Sequence, residues 1–203
     1  MRVTYRLSEA PFAVLWLAWL AYWIVAARDV KTTSRREGAT TFLLNRVFVV
    51  IGALLLVIYR QPLHWLDERF IPQASAAYFL GLVMVAAGLG FAVWARVYLG
   101  RNWSATVTVK QDHELIRTGP YGLVRHPIYT GLLLALLGTA VGIGEWRGLV
   151  AFASFTIGFL FKLKAEERFM SETFGEQYAR YRAEVPALIP FIGRAHAANN
   201  ASG

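Results

Sequence analysis

The sequence predicts an all-α polytopic membrane protein with about five transmembrane helices. Three observations point there. Hydrophobic residues make up 56% of the 203, against about 45–50% in ordinary soluble domains. They are gathered into five runs with almost no charge inside them. Seven Trp, nine Tyr and thirteen Phe suit the aromatic belts of a bilayer protein.

Crossing a hydrocarbon core about 30 Å thick takes roughly 17–25 apolar residues. The first run, Pro11 to Ala27 (PFAVLWLAWLAYWIVAA), is uncharged and just long enough. Arg2 and Arg6 before it and Val25-Ala26-Ala27 at its end also fit a cleaved signal peptide. Cleavage would leave the basic 28–39 segment outside, against the charge bias described below, so a retained span is expected. The second run, Thr40 to Tyr59, is apolar apart from Asn45 and Arg46, and the third, Ala74 to Ala95, is uncharged. Pro127 to Gly144 is the fourth. Gly148 to Phe161 is shorter, and Lys162 and Lys164 must snorkel if it spans. By length alone it also fits a re-entrant or buried segment. The linker GIGEWRG between the last two runs is short enough to make them an antiparallel hairpin. Gly131, Ala135, Gly138 and Gly142 on one, and Ala151, Ser154 and Gly158 on the other, form small-residue stripes that let helices approach closely in lipid.

Fifteen Lys and Arg fall in the 28–39 loop, the 96–126 loop and the tail from Lys162, against five on the other side. The positive-inside rule then places the N-terminus outside and the C-terminus in the cytoplasm, in an inner or plasma membrane if the cell is bacterial. The net charge of +8 is thereby explained by topology rather than by nucleic acid, since the basic residues sit between apolar runs. No cysteine is present, which excludes disulfides and thiolate chemistry, and the four histidines show no metal-ligand spacing. His64 reads as structural. Asn102-Trp103-Ser104 matches a glycosylation acceptor, but the topology puts it on the cytoplasmic side. No phosphate-binding glycine loop and no Ser-His-Asp arrangement are evident.

Polar residues concentrate in the loop from Arg101 to Tyr129 and in KLKAEERF at 162–169. Pro127 suits the first turn of a helix, where a missing N–H costs nothing. His126 then falls near the N-cap, beside open backbone donors suited to a carboxylate or phosphate. Arg125 and Tyr129 complete either a ligand pocket or an interfacial anchor. Glu166 and Glu167 point about 100° apart on a helix, so one can face a cavity and an ammonium while the other meets basic neighbours. The alternative is a simple Lys162–Glu166 surface pair.

GPYGLVRHPIYTG at 119–131, the small-residue hairpin, the Glu-Glu-Arg at 166–168, FGEQYARY at 174–181 and VPALIP at 185–190 resemble the isoprenylcysteine carboxyl methyltransferase family. Related phospholipid methyltransferases share the His-Pro and paired-glutamate elements. The resemblance covers about residues 96–193. It implies S-adenosylmethionine as methyl donor, in a cytoplasmic pocket closed by a C-terminal helix. Carried over by position, it assigns His113, Glu114, Leu115, Ile116, Tyr121, His126, Pro127, Ile128, Tyr129 and Glu166 to the cofactor. It assigns Arg125 and Glu167 to the catalytic set, with Glu167 supporting Glu166. Lys162 stands where eukaryotic members carry a substrate-contacting arginine, and it lacks arginine's bidentate fork.

The resemblance further implies three divisions: N-terminal spans at 1–95, a catalytic region at 96–193 and a flexible tail at 194–203. The expected acceptor is a lipophilic or prenylated small molecule or protein C-terminus carrying an isoprenylcysteine-type carboxylate, met among membrane lipids. A phospholipid amine is the alternative acceptor. Membrane sterol reductases, which use NADPH, resemble the same C-terminal fold, but paired glutamates suit a ligand ammonium better than its phosphates. A non-catalytic membrane protein that kept the fold is the third reading. The sequence leaves the oligomeric state open.

Overall fold

The computed structural model describes residues 9–27, 38–58, 61–72, 74–100 and 115–191. Among them run seven α-helices: α1 (Ala10–Ala26), α2 (Ala39–Val57), α3 (Ser75–Leu99), α4 (Pro120–Leu123), α5 (Pro127–Ile143), α6 (Trp146–Phe174) and α7 (Glu176–Glu184), with a 3-10 turn at His64–Asp67. The protein is an all-α polytopic membrane protein. Three helices, α2, α3 and α6, are long and apolar enough to cross a membrane. The apolar helices α1 and α5 have 17 residues each, about 26 Å at 1.5 Å per residue. The fifth apolar run is neither short nor broken. It opens a 29-residue helix that continues past Lys162 and both glutamates to Phe174. Similarly, α3 runs past the expected end at Ala95 to Leu99, which takes Arg96 out of the loop. Arg96 is buried and closes the end of α1 by donating from Nη2 to the Ala26 carbonyl, 2.6 Å away.

The small-residue stripes do not chiefly serve each other. α5 packs most extensively on α3, and α6 on α2. A Cβ at Gly88 would collide with the Gly131 carbonyl oxygen, and one at Gly131 with that of Gly88. Glycine is therefore required on both helices, and backbone approaches backbone as in other tight membrane pairs. On α6 the stripe faces α2: Ser154 Oγ donates to the Phe48 carbonyl (2.7 Å), and Asn45 Nδ2 donates to the Gly158 carbonyl (2.9 Å). This satisfies the polar Asn45 amide within the span. The α5–α6 hairpin remains, with Gly148 against Ala140.

At the hairpin end of the bundle a buried charge network locks the helices together. Arg147, from the linker GIGEWRG, is 1% exposed and lies inside. Its Nε donates to Glu145 Oε2 (2.6 Å), Nη2 to Glu9 Oε1 (2.9 Å) and Nη1 to the Leu56 carbonyl (3.2 Å). One guanidinium thus ties α6 to the start of α1 and the end of α2. His64 lies exposed in the 3-10 turn at this end.

Candidate active site

The opposite end of the bundle gathers the polar residues. Gly119 starts the local architecture: its φ of 60° favours glycine, and a side chain there would meet the Tyr98 ring. The single-turn α4 follows, and its Tyr121 carbonyl accepts a 2.6 Å hydrogen bond from Tyr181 on α7. Burial pushes the Tyr181 phenol upward, so its hydroxyl stays a donor. Pro127 then opens α5 as its first residue, with His126 at the N-cap position.

Six side chains converge there. Arg125 donates to Glu167 Oε1 from both Nε (2.9 Å) and Nη2 (2.6 Å). Glu167 Oε2 meets Arg182 Nε of α7 at 3.3 Å. Tyr129 donates to Glu166 Oε1 at 2.5 Å. Between the two carboxylates sits the His126 ring, with Nδ1 3.4 Å from Glu166 Oε2 and Nε2 3.2 Å from Glu167 Oε1. Burial lowers the His126 pKa, but hydrogen bonds and charge from Glu166 and Glu167 outweigh it and hold the pKa above the ordinary 6.5. The doubly protonated ring has a donor for each carboxylate, and the geometry offers an acceptor on both sides.

One glutamate does meet the basic neighbours, and it is Glu167. Glu167 takes both arginines, Glu166 takes the tyrosine, and they share the histidine. Arg125 N–H donates to the Pro186 carbonyl (2.9 Å) and His126 N–H to the Ala187 carbonyl (3.0 Å). The strap after α7 thus pairs the two backbone donors just ahead of the first turn of α5. Arg125 Nη1 extends the tie to the Val185 carbonyl at 2.5 Å. Outside this joint lies an open cavity of ≈ 470 Å³ lined by Arg125, Ala179, Arg182, Ala183, Pro186 and Ala187.

The other expected site residues are placed as follows. Lys162 lies one turn before Glu166 on α6, half-buried. Ile128 packs on the α1–α3–α5 core rather than joining the charged cluster. Leu115 packs beside Tyr178, Tyr181 and Val185. Ile116 is half-buried, and Tyr121 and Pro127 are buried. His113 and Glu114 lie outside the described residues, as does Asn102-Trp103-Ser104. Arg182 and the carbonyls of 185–188 were not assigned from sequence, although FGEQYARY and VPALIP flank them. Among the described residues no cluster of His, Asp and Glu has the arrangement of a metal site.

Known proteins match this sequence across most of its length. Residues 76–177 match the phospholipid methyltransferase family model. The chain is 30% identical over 164 residues to a probable protein-S-isoprenylcysteine O-methyltransferase of Oryza sativa subsp. indica, covering 78% of this chain and 83% of that protein. Protein-S-isoprenylcysteine O-methyltransferase A of Arabidopsis thaliana is 32% identical over 179 residues, covering 85% of each. The Rattus norvegicus protein-S-isoprenylcysteine O-methyltransferase is 31% identical over 178 residues, 84% of this chain and 60% of its own. Fold and matches together define a membrane methyltransferase. The chain belongs to the isoprenylcysteine carboxyl methyltransferase family.

Proposed function

We propose that the protein methylates the carboxylate of an isoprenylcysteine-type acceptor, using S-adenosylmethionine. The observation that carries this reading is the cluster of Arg125, His126, Tyr129, Glu166 and Glu167 at one end of an apolar bundle. The relatives' names supply the acceptor class.

The residues fit the donor. Its amino-acid end carries an ammonium and a carboxylate, and the cluster presents both signs of charge. Glu166 with Tyr129 would hold the ammonium and attend the sulfonium, where an aromatic face also attracts a cation. His126 Nδ1, whose 3.4 Å contact with Glu166 is the longest within the cluster, is the donor for the carboxylate. When bound, S-adenosylmethionine supplies a methyl group on a sulfonium sulfur, open to in-line displacement.

The protein's own part is positioning and exclusion of water. Arg125 and Glu167 hold the strap and the His126 ring, and they act through those groups. Lys162, one turn closer to the bilayer on α6, would meet the acceptor carboxylate and orient it. A carboxylate is already ionised near neutral pH, so this reaction needs no general base. We assign residues 96–193 to this chemistry, the helices of 1–95 to its frame and 194–203 to a tail. Alternation of the helices and the fifteen-to-five distribution of basic residues support a cytoplasmic site and an external N-terminus.

The family match also favours a second acceptor, a phospholipid amine. One assay separates the two. Purified protein in lipid nanodiscs is given methyl-labelled S-adenosylmethionine with either a farnesylcysteine derivative or phosphatidylethanolamine. Label on the prenylcysteine that base releases as methanol identifies a methyl ester. Base-stable label on the phospholipid overturns the carboxylate reading. Calorimetric titration with the cofactor, its demethylated product and NADPH accompanies it, and binding of NADPH alone would reject both methylation readings.

A further inference from the structure

The segment after α7 does more than cover the cluster. Three hydrogen bonds trace its course. The carbonyls of Pro186, Ala187 and Leu188 accept in turn from Arg125 N–H (2.9 Å), His126 N–H (3.0 Å) and Thr130 Oγ1 (2.7 Å). As the strap advances, its partners advance from the residue before the N-cap of α5 to the fourth residue of that helix. The strap therefore runs in the same sense as α5, off the polar end of the bundle and along the start of an apolar helix. Its next residues are Ile189, 59% exposed, and Phe191, 74% exposed.

The backbone suits that destination. Groups that leave water must be paired within the protein, and the carbonyls at 186, 187 and 188 are paired. Pro186 and Pro190 carry no N–H to satisfy. The side chains from 185 to 191 (VPALIPF) include no charge and no polar group. Aromatic and aliphatic side chains bind at the headgroup/acyl boundary in proportion to the apolar area they bury there.

We propose that residues 186–191 form an interfacial membrane anchor, with Ile189 and Phe191 embedded in the lipid surface at the site end of the bundle. The partner is the bilayer itself. This rests on the membrane fold and not on the methyl-transfer reading. Because the same strap supplies the acceptors for Arg125 and His126, the lipid surface becomes one of the supports of the site.

The absence of native cysteine gives a clean test. Ile189→Cys and Phe191→Cys are each spin-labelled in the full-length protein in nanodiscs. Accessibility is then compared between oxygen, which concentrates in lipid, and a nickel chelate, which stays in water. Gln177→Cys on the exposed face of α7 serves as the water reference, and Val83→Cys on α3, 65% exposed, as the lipid reference. The expected oxygen-to-nickel ratio at 189 and 191 lies above that of 177 and towards that of 83. A ratio equal to that of 177 overturns the proposal by placing the strap in water. Low access to both reagents also overturns it, because a second copy or residues 192–203 would then cover the strap.

Discussion

Arg125 grips Glu167 through a single oxygen: Nε and Nη2 both donate to Oε1, at 2.9 and 2.6 Å, and Oε2 is left to Arg182. Both partners of the Arg125–Glu167 pair are mostly buried, with side chains 10% and 14% exposed. Removing Arg125 takes two donors from a mostly buried carboxylate that keeps only Arg182 at 3.3 Å and His126 at 3.2 Å. Arg125→Ala is expected to destabilise the protein by about 3 kcal/mol, read as a lowered Tm in detergent or nanodiscs. Arg125→Lys keeps the charge, loses the fork and should fall between. An unchanged Tm in Arg125→Ala would show that the pair is not under tension from burial.

The two glutamates have different expected effects on the cofactor. Glu166 has Tyr129 and one side of His126, whereas Glu167 is committed to two arginines. Glu166→Ala should weaken S-adenosylmethionine binding by about tenfold or more, the loss of a charge-assisted hydrogen bond worth about 1.5–3 kcal/mol. Glu167→Ala should chiefly lower Tm. Calorimetric titration of both variants decides it, and equal, negligible changes in Kd would remove Glu166 from the binding set.

His126 makes stability depend on pH in one direction. Its pKa is raised in the folded protein above the 6.5 of the free group, so the folded state binds the proton more tightly. The stabilisation is fully present below 6.5 and is lost as pH rises through the higher, folded value. A Tm-against-pH series should show this loss above 6.5 in the wild type and a flatter line in His126→Gln. Identical slopes would mean that the ring does not carry a proton between the carboxylates.

Glycines at the α3–α5 contact can be tested against a neighbour on the same helix. Gly88→Ala drives a methyl group into the Gly131 carbonyl, while Gly90 has open space around it. The first change should cost about 1–3 kcal/mol. Gly90→Ala should be neutral or stabilise by up to about 1 kcal/mol through helix propensity. Thermal unfolding of the two variants side by side gives the comparison.

Much of this arrangement was readable from the chain because it depends on local chemistry. Pro127 sets the first turn of α5, His126 therefore precedes it, and the apolar runs mark the helices. What escaped depended on partners far along the chain. The spacing of Gly131 and Gly138 shows that one face of α5 is narrow, but not that α3 rather than α6 lies against it. The strap carbonyls at Pro186 and Ala187 carry no residue-specific signal, since every residue has a carbonyl. Burial of the Arg147 guanidinium depends on Glu9, Glu145 and the Leu56 carbonyl arriving together, which its place in a short linker does not reveal.

That buried guanidinium has a consequence at the far end of its helix. Arg147 and Glu167 are separated by about 30 Å of continuous α6, and the helix behaves as a threaded rod with its head bolted. A slip by one residue would turn the rod by about 100° and bring Glu167 to the bearing now held by Glu166. The network of Glu9, Glu145 and Leu56 around Arg147 therefore works as an indexing pin, fixing which of two neighbouring carboxylates faces Tyr129.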